Sequence, residues 1–153
     1  MNLVNKSCID ILLVEDNPAD ARLTIEALKD GKLSNYKQLH HVTDGEQALQ
    51  YLFNEEPFTD AIRPDLILLD INMPKLNGIE VLKKIRSTPN LSGIPVVMLT
   101  TSRSEEDVIK SYNLHANCYV SKPVDFSSFI EVVSSIEDFW FSVVRLPHSM
   151  VNS

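Results

Sequence analysis

Three acids, a threonine and a lysine each follow an apolar run. Glu15 and Asp16 come after Ile11–Val14, Asp70 after Leu66–Leu69, Thr100 after Pro95–Leu99, and Lys122 just after Cys118–Val120. Brought together, three carboxylates would repel and raise one another's pKa. Lys122 offers one positive charge, so a hard divalent cation fits the remainder. Magnesium suits the set, because it takes oxygen ligands, needs few from the protein and keeps several waters. Asp16 and Asp70 are the candidate carboxylate ligands. The backbone carbonyl of Asn72 could add a third oxygen, since the chain turns there before Met73-Pro74. Zinc or iron is disfavoured, as no His or Cys joins the group. A carboxylate beside such an ion can act as a nucleophile and form an aspartyl phosphate. The cation and Lys122 would neutralise the phosphoryl oxygens, and Thr100 could donate its hydroxyl to one of them.

These side chains meet only if the runs lie side by side. Cys8–Val14, Tyr36–Val42, Leu66–Leu69, Pro95–Leu99 and Cys118–Val120 read as short strands. Helical patterns separate them. Asn17 can cap a helix whose first position is Pro18, with Ala21, Ile25 and Leu28 at helical spacing. Asp44 can cap a second, carrying Ala48, Leu49, Leu52 and Phe53. A turn at Asn77-Gly78 opens a third, with the stripe Ile79, Leu82 and Ile85. Ser104 with Asp107 resembles a capping box for a fourth, and Asp125 can cap a long fifth. Strands alternating with helices imply a parallel sheet covered on both faces. In such sheets ligands bind beyond the carboxyl ends of the strands, where the five residues fall. Asn54–Pro64 reads as a polar loop. His40 and His41 are adjacent on the second strand, point to opposite faces, and are expected at the surface.

The segments ILLVEDNP (Ile11–Pro18), LILLDINMPKLNG (Leu66–Gly78), PVVMLTTS (Pro95–Ser102) and YVSKP (Tyr119–Pro123) together resemble the receiver domains of two-component response regulators, of the CheY type. Thr100 lies 30 positions and Lys122 52 positions after Asp70, both in the family's register. The resemblance implies a flavodoxin-like, doubly wound five-stranded sheet in the order 2-1-3-4-5 with five helices. It makes Asp70 the phosphoacceptor and Asp16 a direct magnesium ligand, with Glu15 reaching the ion through water. Lys122 and Thr100 would bind the phosphoryl group, and Thr100 with Tyr119 would form a switch pair. Asn72 and Ser102 occupy the positions that tune hydrolysis, and a cis peptide is implied between Lys122 and Pro123. The chain would then be no enzyme beyond weak autodephosphorylation. It would take its phosphoryl group from a sensor histidine kinase and signal through altered protein contacts; the alternative is an interaction module independent of phosphorylation. Two departures stand out. Thr101 is bulkier than the family's usual residue there and should narrow access to Asp70. The stretch from Asp16 to Asp70 is longer than usual, with the excess in Asn54–Arg63. Single-domain receivers serving phytochrome-type histidine kinases are similar in that loop and in the opening EDNPADARL.

The remaining features fit this reading. Asp plus Glu outnumber Lys plus Arg by 21 to 14, and a net charge of −7 opposes nucleic acid and anionic membrane surfaces. No signal peptide or membrane span is expected, and two isolated cysteines, Cys8 and Cys118, suggest a reducing, cytoplasmic setting. We expect a lead over residues 1–6, a receiver over 7–137, and an extended last helix with a tail over 138–153. On that helix Phe139, Trp140, Val143 and Val144 continue an apolar surface suited to a homodimer. A dehalogenase-type hydrolase would need a second acid at Asn72. A flavin carrier would not place Glu15 and Asp16 where its phosphate loop belongs.

Overall fold

The computed structural model describes residues 10–30, 38–101, 104–105, 114, 116, 118–122 and 127. Five strands form one parallel sheet: β1 (Asp10–Val14), β2 (Gln38–Val42), β3 (Leu66–Asp70), β4 (Val96–Thr100) and β5 (Cys118–Ser121). Their order is β2-β1-β3-β4-β5, as the resemblance implied. Every residue of β1, β3 and β4 is buried, which is why these runs are continuously apolar rather than alternating. Three helices lie within the described residues: α1 (Pro18–Asp30), α2 (Gly45–Leu52) and α3 (Gly78–Ser87). Ser104, Glu105 and Ser127 are also helical, while the rest of the expected fourth and fifth helices falls outside the described residues.

Local chemistry explains where the helices start. The Asp20 N–H donates to Asn17 Oδ1 at 2.9 Å, so Asn17 caps α1. Asp44 caps α2 by accepting from the Gln47 N–H at 2.8 Å. Asn77 and Glu80 form a reciprocal capping box at α3, which adds a cap to the turn expected at Asn77-Gly78. Gly78 opens α3 against the backbone of Asp70 and Ile71, where a Cβ would collide with the Asp70 carbonyl oxygen. That contact seats α3 directly beneath the end of β3.

Two expectations need correcting. Tyr51, not Phe53, fills the inner face of α2 beside Ala48 and Leu52. Phe53 falls past the helix end, is exposed, and has the Lys84 ammonium 5.9 Å from its ring centre. His40 and His41 are half-buried rather than surface residues. His40 packs on Tyr51 (4.6 Å between ring centres) and Phe58 (5.6 Å), so the loop after α2 is fastened to β2 by an aromatic stack. The Asn54 amide, at φ 54°, closes that loop by donating to the Ala61 carbonyl at 2.8 Å.

Candidate functional site

The register brings the strand ends level. Val14 pairs with Leu69, Asp70 with Leu99 and Thr100 with Ser121, so Glu15 falls beside Asp70 and Lys122 follows Thr100's partner. The Lys122 N–H donates to the Thr100 carbonyl at 2.7 Å, extending the pairing of β4 and β5 beyond the sheet. Glu15 is held by the Val42 carbonyl, which accepts from its N–H at 3.1 Å, and by His41 Nε2, 2.8 Å from its carbonyl oxygen.

Lys122 Nζ lies 3.2 Å from each of Glu15 Oε2, Asp20 Oδ2 and Asp70 Oδ2. Glu15 and Asp70 are fully buried, whereas Asp16 is exposed. Carboxylate oxygens of Glu15, Asp16 and Asp70 all lie within 4.8 Å of one another. Glu15 Oε2 also accepts from the Asn17 N–H at 3.1 Å, while Glu15 Oε1 is buried without a hydrogen-bond partner. Three acids thus surround one amine, with Asp16 beside two of them. Burial, and then the charge of Glu15, push the Asp70 carboxyl up to about 7, against the opposing pull of Lys122. Burial would lower the Lys122 ammonium pKa, but Asp70 and Glu15 hold it above its ordinary value. The surplus of anions and the bare Oε1 fit a hard divalent cation, and the all-oxygen donor set excludes a thiolate-type metal.

Thr100 is fully buried and its hydroxyl has no hydrogen-bond partner. Tyr119 lies on β5, half-buried against the core. Asn72 is exposed, and its N–H reaches Asp70 Oδ1 at 3.3 Å. Two contributors were missed in the sequence. Asp20 reaches Lys122 from the first turn of α1; the Asn17 cap fixes that turn, so its position was deducible. Glu105 accepts from the Thr101 N–H at 2.7 Å and from the Asn72 side-chain amide at 2.6 Å, which no sequence spacing announces. Partial burial would raise the Glu105 carboxyl, but these bonds and the charge of Lys122 hold it below the usual range. Ser102, the Lys122–Pro123 peptide and the expected interface of Phe139, Trp140, Val143 and Val144 involve positions outside the described residues.

Comparison with known proteins places this geometry among relatives. The family model described as "Response regulator receiver domain" matches residues 11–134. The chain is 46% identical over 137 residues to response regulator Rcp1 of Synechocystis, covering 90% of this chain and 92% of that protein. It also resembles the crystal structure of the phosphorylated cyanobacterial phytochrome response regulator RcpA, at TM-score 0.73 and 46% identity, covering 90% of this chain and 97% of that one. A Mn²⁺-bound form of Rcp1 is similar at TM-score 0.70 and 44% identity, covering 89% and 96%.

Proposed function

The chain belongs to the response regulator receiver domain family, and from that premise we propose that Asp70 is its phosphoacceptor. Its partner is a sensor histidine kinase, as for receivers generally. An Asp70 carboxylate oxygen attacks the phosphorus of a phosphohistidine. The P–O bond forms as the P–N bond breaks, and the electron pair leaves on the imidazole nitrogen. Asp16, Asp70 and the Asn72 carbonyl would hold the cation, with Glu15 reaching it through water. Magnesium, when bound there, neutralises charge on the phosphoryl oxygens. Lys122 moves from its carboxylates toward a phosphoryl oxygen, Thr100 turns its free hydroxyl to another, and Tyr119 follows inward. Asn72 and Ser102 set how slowly water removes the group.

The observation that carries this reading is the convergence of Glu15, Asp20 and Asp70 on Lys122, each at 3.2 Å, at the carboxyl ends of the strands. The likeness to Rcp1 and RcpA supports a phytochrome-type kinase as donor. We further assign a receiver over 7–137, a homodimer through Phe139, Trp140, Val143 and Val144, and a cytoplasmic setting. Among the described residues no helix is long and apolar enough to cross a membrane. Acetyl phosphate with magnesium should add the mass of one phosphate to the wild type and none to Asp70→Asn. No uptake by the wild type would return the reading to a phosphorylation-independent interaction module. Sedimentation of the double variant Phe139→Ala, Trp140→Ala tests the dimer: a wild-type dimer should become monomer.

A further inference from the structure

Parallel strands lie about 4.8 Å apart, and the pairing of Asp70 with Leu99 carries residues 71–72 beside 100–101. One carboxylate spans that gap. Glu105 Oε1 accepts from the Thr101 N–H at 2.7 Å and Oε2 from the Asn72 amide at 2.6 Å. Chain proximity accounts for the first bond, four residues away in the chain. It does not account for the second, which crosses 33 residues to the loop after β3. The two donors that Glu105 occupies belong to Asn72, two residues after Asp70, and to Thr101, at the end of the neighbouring strand. An adjoining donor, the Thr100 hydroxyl, is buried and unengaged.

We propose that Glu105 is a positioning residue that acts as a resident stand-in for the phosphoryl group, tying the loops after β3 and β4 together until phosphorylation displaces it. This inference rests on Asp70 being the phosphoacceptor. An aspartyl phosphate brings roughly two negative charges and three acceptor oxygens to the neighbourhood. Those charges repel the Glu105 carboxylate, and the oxygens compete for the Thr101 N–H and the Asn72 amide. Because Glu105 is helical with Ser104, its release passes the event directly into the segment that follows β4. The same carboxylate opposes loading, since its bonds must break before the phosphoryl is fully held.

The test uses the full chain with beryllofluoride and magnesium as the phosphoryl mimic. Glu105→Gln keeps the length and one acceptor but removes the charge. It should bind beryllofluoride about two- to fivefold more tightly, the range expected from a partly exposed charge-assisted contact, and load faster from acetyl phosphate. A residue serving only to cap its helix would lower the melting temperature and leave that affinity unchanged or weaker, and this outcome overturns the proposal. A second readout needs no variant. In the wild type, the Thr101 backbone amide and the Asn72 side-chain amide should shift together in NMR spectra on adding beryllofluoride, and unmoved signals would also overturn it. If the wild type binds no beryllofluoride and takes up no phosphate, the phosphoacceptor reading itself fails, and the inference falls with it.

Discussion

At the scale of single residues, the site is charged against its own interest. Asp70 is buried among anions and its carboxyl is raised from 3.8 to about 7. A carboxyl whose folded-state pKa exceeds its unfolded value favours folding below the unfolded pKa, and that advantage is lost as pH rises through the folded one. The metal-free protein should therefore lose stability between about pH 4 and pH 7, by at most about 4 kcal/mol at 1.36 kcal/mol per unit. Urea unfolding in EDTA at pH 5 and pH 8 checks this. The wild type should be weaker at pH 8, and Asp70→Asn should show a much smaller difference; equal slopes would remove Asp70 as the cause. Thr100 presents a second local cost, a buried hydroxyl without an acceptor. Thr100→Val keeps the shape and removes that unsatisfied group, so the resting protein should be no less stable, gaining up to about 1 kcal/mol. Beryllofluoride binding should weaken in the same variant. Loss of resting stability would mean that the hydroxyl already has a partner.

At the scale of elements, α3 is the support on which Asp70 stands. Its capping box should make Asn77→Ala cost about 1 kcal/mol in thermal or urea unfolding. Gly78→Ala should cost more, about 1–3 kcal/mol, because its Cβ would press on the backbone of Asp70. Phosphoryl loading should fall only in the Gly78 variant. Much of this layer was legible in the chain. Buried strands are continuously apolar, and Asn17 and Asp44 are caps by residue type and position. Elements whose outcome depends on packing were less legible. Phe53 and Tyr51 are both apolar enough to face the core, and only the helix end beyond Leu52 decides between them. His40 looked like a surface residue because the Phe58 that covers it comes from a loop without periodicity. Glu105 was unreadable for a related reason: its bond to Asn72 links the segment after β4 to the loop after β3, and the two are neighbours only after β3 and β4 have paired. Asp20, by contrast, could have been placed from the cap at Asn17.

At the scale of the whole molecule, charge is the governing quantity. The chain carries −7 overall, and at one end of the sheet three acids crowd a single lysine with Asp16 beside them. A divalent cation that binds only the folded state should stabilise the protein by about 2.7 kcal/mol at a hundred times its dissociation constant. Melting curves with magnesium and then excess EDTA should rise and return; a curve indifferent to magnesium at pH 8 would count against the acids as its ligands. Sheet order sets the remaining large-scale property. β2 is one edge and β5 the other, so the aromatic stack of His40, Tyr51 and Phe58 lies three strands from Thr100. The stretch it fastens shares no hydrogen bond with the acids, and its tip at Thr59 and Asp60 faces solvent. Length and lettering at that tip are therefore free to drift: foreign sequence spliced between those two residues would redraw the outline of one flank and leave the acid pocket at the strand ends unaltered.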